Sequence, residues 1–239
     1  YYAHIGTGNF NEDTSRFYCD HSLLTANRRI TQDVLEVFNF YSDNYKSGTY
    51  KELLVSPFTM RKKLTALIDK EIKAAKEKKE AWMFLKMNNL VDEAVIQKLY
   101  EASKAGVKIR LIIRSTCSLV AGKKGLSDNI EAVSIVDKYL EHSRVFIFAN
   151  AGDPKYYIAS ADIMTRNLDH RSEVATPILD PLIQKELKDI LEIQWAGNTK
   201  ARILNSSQDN LYKKGDPKNK VRAQDEIYAY LQRKLNPAK

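Results

Sequence analysis

The chain has 239 residues, with 38 lysines and arginines against 30 aspartates and glutamates, a formal net charge of +8. Hydrophobic residues make up 44% of it, which is enough to build a core and excludes a disordered polar tail. No uninterrupted apolar stretch approaches the roughly 20 residues that a membrane-spanning helix needs. The two cysteines, Cys19 and Cys117, form no disulfide framework and favour a reducing, cytoplasmic setting.

The positive charge is open to two interpretations. A pI near 9.2 suits a polyanionic partner such as nucleic acid or a phosphate polymer, and it also serves solubility alone. Basic residues flank Gly215 and Pro217 and predict an exposed basic loop: Lys213, Lys214, Lys218, Lys220 and Arg222. Charge alone does not choose between the two.

Strands and helices alternate in the first half of the chain. Residues 1–5 predict a strand that is already under way, so we expect the chain to be part of a longer protein. Helical spacing of apolar residues predicts a helix over 29–41, and Ser56-Pro57 gives the start signal of a helix that runs through Ile72. The next three elements follow with short joins: strand 81–85, helix 92–105 and strand 107–113. This order is typical of a βαβ unit with parallel, buried strands.

The second half predicts further strands followed by two helices. The strands are expected at 132–136, 144–148 and 156–158. Asp180-Pro181 is predicted to open one helix, and a last helix over 221–235 closes the chain. The pattern as a whole predicts an α/β fold with a sheet flanked by helices.

An internal repeat is indicated at an offset of 153 residues. This shift pairs the segment 5–10 with 158–163, and it pairs Asp20 with Glu173 without a gap. It also pairs Tyr18 with Arg171 and superposes the apolar faces of two predicted helices. Because a strand, a small-residue loop, an acid and a helix face all agree at one register, we predict a duplication.

The repeated loop has a composition that suits anion chemistry. A strand that ends in small residues lets backbone N–H groups and a hydroxyl approach a phosphate closely. Asn9 or Asp162 in the loop can fix a neighbouring imidazole, and the acid 11 residues farther along can orient it. His142 enters the strand that is predicted to pair with the loop strand, so we expect His142 and Ser160 to face one pocket. The histidine of the first copy is expected upstream of Tyr1.

A His-x-Lys-like strand followed by a Gly/Ser-x-Asn loop resembles the phospholipase D superfamily, in which two such half-sites meet. The resemblance implies that one histidine becomes phosphorylated and that the other donates or accepts a proton. The chain departs from this pattern at Arg144, where the superfamily has lysine, and at Ala149, where it has aspartate. Both departures argue against a plain phosphodiesterase.

Longer motifs resemble bacterial polyphosphate kinases of the first type. They follow one another in order along essentially the whole chain, at 2–11, 20–26, 85–92, 127–130, 139–142 and 160–167. The resemblance implies a phospholipase D-like α/β fold with a mixed sheet flanked by helices. It also implies that residues 1–50 end a first catalytic domain, and that 51–239 form a complete second one with a C-terminal helix.

The same resemblance implies an activity and its partners. The expected reaction is reversible transfer of the terminal phosphate of ATP, leaving ADP, to inorganic polyphosphate through a phosphohistidine upstream of this chain. Mg²⁺ is expected outside the chain, which offers no predicted metal ligands. A cytoplasmic, homo-oligomeric parent that does not bind nucleic acid is implied, and peripheral membrane association is left open.

Three residues fall on family positions that contact nucleotide or phosphate. Tyr18 falls on a nucleotide-binding tyrosine, Arg114 on an arginine that contacts nucleotide phosphate, and His142 on the second essential histidine. The position of Arg114 supports its assignment independently of the resemblance. Arg114 lies at the carboxyl end of a predicted parallel strand, where open α/β sheets bind ligands. A guanidinium suits forked phosphate recognition, and an imidazole suits acid–base work near neutral pH.

A second set is predicted to line a polyphosphate channel: Arg166, Arg171, Lys86, Asn88, Asn9 and His4. For Arg166 and Arg171 the alternative is that they pair with Glu173 and Asp169, and for His4 it is plain packing. Two other functions stay open. One is a phospholipase D-like phosphodiesterase acting on lipid or nucleic acid, and the other is a non-catalytic polyanion-binding module.

Overall fold

A computed structural model describes residues 1–43, 45, 48–216 and 218–236. Its strands are β1 (Ala3–Gly6), β2 (Tyr18–Cys19), β3 (Ser22–Thr25), β4 (Leu54–Ser56), β5 (Trp82–Met87), β6 (Lys108–Ile113), β7 (Ile130–Ile135), β8 (Leu140–Glu141), β9 (Arg144–Phe148), β10 (Lys155–Ala159), β11 (Glu173–Pro177) and β12 (Ala201–Leu204). Its helices are α1 (Glu12–Ser15), α2 (Arg28–Ser42), α3 (Met60–Lys76), α4 (Glu93–Lys104), α5 (Thr165–Asp169), α6 (Pro181–Ala196) and α7 (Ala223–Leu235).

Eight strands form one mixed sheet in the order β12-β7-β6-β5-β9-β10-β11-β4. β5, β6 and β7 run parallel to one another, and the other neighbours are antiparallel. Met83 and Leu85 of β5 join a core cluster with α3 and α4, while Phe84 joins a second cluster with α6. Helices therefore cover both faces of the sheet, and the predicted mixed α/β fold is confirmed.

The βαβ unit is formed by β5, α4 and β6, as predicted. The carboxylate of Asp92 accepts a hydrogen bond from Val95 N at 3.1 Å and caps the start of α4. Gly106 follows the end of the helix with φ of 98°, a conformation that glycine adopts without a Cβ penalty. Because β5 and β6 are parallel, their carboxyl ends bring Asn88 and Arg114 to the same edge of the sheet.

The predicted start of α3 is wrong. Ser56 is the last residue of β4, where it lies opposite Glu173 of β11, and the Ser56-Pro57 peptide is cis. The helix begins at Met60, after Thr59. Pairing with β11 keeps Ser56 in extended backbone, so Ser56 is not a helix cap.

The predicted basic loop is only partly a free surface. Lys214, Lys218 and Lys220 are exposed. In contrast, the Lys213 ammonium donates to the carbonyl of Trp195, and Arg222 pairs with Asp137 at 2.6 Å. Pro217 lies outside the described residues.

The predicted duplication is visible as two hairpins with one register. β1 pairs with β3 so that His4 lies opposite Leu24, and β10 pairs with β11 so that Tyr157 lies opposite Pro177. Each of these positions is separated from its counterpart by 153 residues. The helices that follow also correspond, because α2 begins at Arg28 after a capping Asn27 and α6 begins at Pro181 after a capping Asp180. We call residues 3–42 the first copy. Residues 142–196, which begin with the histidine that leads into the strand paired with β10, are the second copy.

Candidate functional site

His142, at the start of the second copy, contacts the first copy. It follows β8, whose Leu140 and Glu141 pair in parallel with Tyr18 and Cys19 of the first copy. The Nδ1 atom of His142 is 3.0 Å from both carboxylate oxygens of Asp20. Because a carboxylate only accepts, this contact assigns the hydrogen of the neutral ring to Nδ1. The imidazole of the second copy is thus oriented by the acid of the first.

Tyr18 completes one wall around the imidazole. The two rings have centroids 4.7 Å apart at an interplanar angle of 55°. The His142 side chain is 14% exposed and that of Asp20 is 22% exposed, so the pair is neither in bulk water nor in a dry core. The ring is therefore shielded yet reachable by a ligand.

Asp20 is itself held by its own copy. Thr7 Oγ1 donates to Asp20 Oδ1 at 2.6 Å and accepts from the backbone N–H of His21 at 3.0 Å. Burial would raise the pKa of Asp20, but hydrogen bonds from His142 and Thr7 and the charge of Arg144 hold it below its ordinary value. Asp20 is therefore a carboxylate at neutral pH.

Gly8 gives the Asp20 carboxylate the space that it occupies. A Cβ built on Gly8 would lie 2.1 Å from Asp20 Oδ2, far inside van der Waals contact. A side chain at position 8 would push the carboxylate off its position beside His142.

Asn88 connects Arg114 to the strand of His142. The Asn88 side chain accepts from Arg114 Nε at 3.0 Å and donates to the carbonyl of His142 at 3.1 Å. Asn88 is 1% exposed, and its N–H donates to Asp162 at 2.9 Å. Of the predicted nucleotide and phosphate residues, the structure thus brings Tyr18, Arg114 and His142 into one region.

Asp162 contacts no imidazole of the described residues, so the predicted role of this loop acid in fixing a ring is wrong for the chain as described. Its carboxylate accepts from Asn89 Nδ2 at 2.8 Å and from Arg144 Nε at 3.2 Å. Burial would raise the pKa of Asp162, yet the neighbouring Arg144 and the Asn89 amide hold it below its usual range. Asp162 therefore ties the loop of the second copy (residues 160–163, the second loop) to β9 and to the residues that follow β5.

Arg144 is a structural centre rather than a free phosphate ligand. It is 8% exposed, and one of its terminal nitrogens donates to the carbonyls of Thr7 at 3.0 Å and His142 at 2.9 Å. The same nitrogen lies 3.1 Å from His142 Nε2. Arg144 thus holds together the loop of the first copy (residues 7–10, the first loop), the second loop and the imidazole.

Lys86 does not line a channel, and that prediction is wrong. It is 2% exposed, and its ammonium lies 2.9 Å from Glu141 Oε2. The alternation of β5 turns this side chain inward, so Lys86 has no surface with which to reach polyphosphate.

Arg166 and Arg171 are exposed and lie on and just after α5. The alternative in which they pair with Asp169 and Glu173 is wrong. Asp169 pairs with Arg61, and Glu173 accepts from Ser160 and Asn167. Across the described part of the chain, no ion pair engages either arginine, and neither bonds to the His142 group.

His4 and Asn9 line a cleft of about 510 Å³ that Tyr18 and Asp20 also line. Both side chains are exposed, and the rings of His4 and Phe10 meet edge to face with centroids 4.8 Å apart. The cleft is bounded by the first loop and α1, so it is open to a ligand that also touches Tyr18.

Neither a metal site nor a membrane span is found where the structure describes the chain. Within those ranges, no group of three or more acidic, imidazole or thiol side chains could hold a metal ion. The described residues thus do not form a Mg²⁺ site by themselves. No described helix is long and apolar enough to cross a bilayer.

Asp20 is a candidate site residue that the predicted set omitted, and its contact with His142 identifies it. The repeat had marked it as the counterpart of Glu173, but the spacing of 11 residues suggested an imidazole of the same copy. The repeat therefore marked Asp20 as a candidate, but it did not show that Asp20 contacts the histidine of the other copy.

The comparisons with known proteins assign this arrangement to a class of kinases. The model of polyphosphate kinase C-terminal domain 1 matches residues 1–47, and that of C-terminal domain 2 matches 53–224. The chain is 50% identical over 230 residues to polyphosphate kinase of Escherichia coli K12, covering 96% of this chain and 33% of that protein. The chain belongs to the polyphosphate kinase family, and it spans about a third of the length of the curated relatives that it matches.

Two solved structures resemble the chain to different degrees. The crystal structure of polyphosphate kinase from Porphyromonas gingivalis superposes with a TM-score of 0.93 and 45% identity, covering 98% of this chain and 36% of that one. Nuc, a phospholipase D family member from Salmonella typhimurium, superposes with a TM-score of 0.48 and 16% identity, covering 65% of this chain and 97% of that one.

Proposed function

We propose that this chain contributes to reversible transfer of the terminal phosphate of ATP to inorganic polyphosphate, with His142 as general acid–base or phosphate stabiliser. The observation that carries the proposal is the contact between Asp20 of the first copy and His142 of the second. Tyr18 lies against the imidazole, and Arg114 is joined to the His142 carbonyl through Asn88. An oriented imidazole and a guanidinium in one region suit the stabilisation of a transferring phosphoryl group.

The upstream histidine would be the phosphoryl acceptor. In the forward direction, the bond between the γ-phosphorus and the bridging oxygen of ATP breaks, ADP leaves, and a phosphorus–nitrogen bond forms on that imidazole. That bond then breaks as the terminal oxygen of polyphosphate attacks. Glu173 is the counterpart of Asp20 and accepts from Ser160 and Asn167, so we assign to it the orientation of the upstream ring.

The other contacts are assigned by chemistry and location. Tyr18 offers a ring to the nucleotide, and Arg114 offers donors to its phosphates. His4 and Asn9 would meet the ligand in the cleft beside Tyr18. Exposed Arg166 and Arg171 would contact polyphosphate. Lys86 and Asn88 are withdrawn from this set, because both are buried and their polar side-chain atoms already bond to other residues of the chain. We also propose that residues 1–50 belong to a first catalytic domain and residues 51–239 to a second.

Ligand-induced stabilisation tests the proposal on the chain itself. ATP and long-chain polyphosphate should each raise the unfolding temperature, because a ligand at a hundredfold excess over its Kd adds about 2.7 kcal/mol. Arg114→Ala should lose most of the ATP effect, whereas Arg233→Ala, an exposed arginine on α7, should keep it. Indifference to ATP with a response to any polyanion would instead support a polyanion-binding module.

Labelling with radioactive ATP gives a second test. The chain should not acquire acid-labile phosphate, because the acceptor imidazole is assigned to an upstream segment. Stable labelling of this chain alone would contradict that assignment.

A further inference from the structure

A buried ion pair lies next to His142 and takes no part in the phosphate contacts proposed above. Lys86 and Glu141 are each 2% exposed, and their charged atoms are 2.9 Å apart. The Lys86 ammonium also donates to Ser143 Oγ at 2.6 Å. One lysine therefore holds both residues that flank His142 in the sequence.

The alternation of side chains makes this arrangement relevant to the imidazole. Successive side chains of extended backbone point to opposite sides. Glu141 and Ser143 point inward to Lys86, while His142 points the other way, to Asp20 and Tyr18. Fixing the two inward side chains fixes the backbone from which the imidazole projects.

Glu141 also receives one amide from each of two helices. Gln194 of α6 donates to its Oε2 at 2.7 Å, and Gln224 of α7 donates to its Oε1 at 2.8 Å. Burial would raise the pKa of Glu141, but Lys86 and these amides hold it below its ordinary value. A buried carboxylate with this many partners has one well-defined position.

The first turn of α7 is attached to the segment that leads into His142. Gln224 donates to the carbonyl of Tyr139 at 2.8 Å and accepts from its N–H at 3.0 Å. Just before the helix, Arg222 pairs with Asp137, whose side chain is 1% exposed. Hydrogen bonds therefore connect α7 to Tyr139 and Glu141, and the backbone connects Glu141 to His142.

We propose that Lys86 and Gln224 are positioning residues for His142, which they hold through Glu141 and Ser143 from the side opposite to Asp20. This inference rests on the phosphotransfer proposed for His142. A displacement of about 1 Å at a reacting group can cost on the order of a hundredfold in rate, so loss of either anchor should be seen in turnover.

Kinetics of a full-length polyphosphate kinase that contains this segment test the proposal. Gln224→Met keeps the length of the side chain and removes three hydrogen bonds. It should lower kcat about tenfold or more with little change in the KM for ATP, because Tyr18 and Arg114 lie on other elements. Gln232→Ala, an exposed glutamine of the same helix, should leave both constants unchanged.

Lys86 needs a paired variant. Lys86→Met alone leaves the Glu141 carboxylate buried without its counter-ion, which can prevent folding. Lys86→Met combined with Glu141→Gln removes both charges and keeps the packing, and it should show the same fall in kcat. A lower unfolding temperature with normal kcat in the folded variants would mean a purely structural role and would overturn the proposal.

The histidine ring signals in proton NMR spectra of the chain give a readout that does not depend on phosphotransfer. The chain has four histidines, and the His142 signal is identified by its loss in His142→Gln. Gln224→Met should shift or broaden that signal and leave those of His4 and His170 in place. A full-length protein without phosphotransfer would contradict the proposed function, whereas an unchanged His142 signal in Gln224→Met would contradict the positioning role.

Discussion

The two copies of the repeat share a framework and differ in what their acids contact. In the first copy Thr7 Oγ1 donates to Asp20 and accepts from His21 N, and in the second Ser160 Oγ donates to Glu173 and accepts from Val174 N. Asp20 also contacts the imidazole of His142. Within the described residues Glu173 contacts no imidazole; Asn167 donates to its second oxygen at 2.7 Å.

Asp20 of the first copy orients His142 of the second. Together with the role proposed for Glu173 toward the upstream histidine, this contact means that the copies would exchange partners and that each half-site would be built from both. The comparison can be tested most directly by removing one acid at a time.

The largest expected effect concerns the two acids in a full-length protein. Glu173→Gln should slow formation of the acid-labile phosphoenzyme about a hundredfold, within the range of acid–base contributions. Asp20→Asn should impair the steps that use His142 by a similar factor. Single-turnover labelling with radioactive ATP, followed by a chase with ADP or polyphosphate, separates these steps.

Glu93→Gln is the matched control for the acids, because Glu93 is exposed in the first turn of α4. It should behave as the wild type. If Asp20→Asn abolished labelling while Glu173→Gln labelled normally, each acid would serve its own copy, and the exchange of partners would be wrong.

A middle-sized effect is expected for the two hydroxyls. Thr7 is 1% exposed, so Thr7→Val leaves the N–H of His21 unpaired in the interior and should lower the free energy of unfolding by about 1–3 kcal/mol. Ser160→Ala should cost less, because Ser160 is only half-buried and water can replace its hydroxyl. Denaturant unfolding measures both, and equal losses would show that burial does not distinguish the two copies.

The smallest effect concerns the helix caps that follow each hairpin. Replacing a capping side chain by alanine costs about 1 kcal/mol. Asp180 accepts from Leu182 N and Ile183 N, whereas Asn27 accepts only from Arg29 N. Asp180→Ala should therefore lower the free energy of unfolding more than Asn27→Ala, and the reverse order in thermal unfolding would contradict this assignment.

The fold was largely predictable because its strands and helices have strong periodicity. Helix 29–41 and strand 144–148 agree closely with α2 and β9. The short strands β2 and β8 were not predicted, because two residues carry no periodicity and their pairing joins distant parts of the chain. The predicted start of α3 was wrong because Ser56 pairs with β11, and this pairing outweighs the local helix signal of Ser56-Pro57.

Site residues could be predicted where the family resemblance and the position in the fold agreed. Arg114 was identified by the resemblance and its place at a strand end, and His142 by the resemblance and the repeat; the structure places them on either side of Asn88. Lys86 was misplaced, because a lysine at a strand end looks exposed until its buried partner Glu141 is known. That partner lies 55 residues away, and no local pattern connects the two.

Gly8 has a consequence for how such sequences can vary. Its counterpart in the second copy is Ala161, and there the acid is the longer Glu173. A shorter acid must come nearer to the loop backbone to reach its ring, and only a residue without a side chain allows that approach. We therefore expect the two positions to change together across related sequences, with glycine accompanying aspartate, and alanine tolerated beside glutamate.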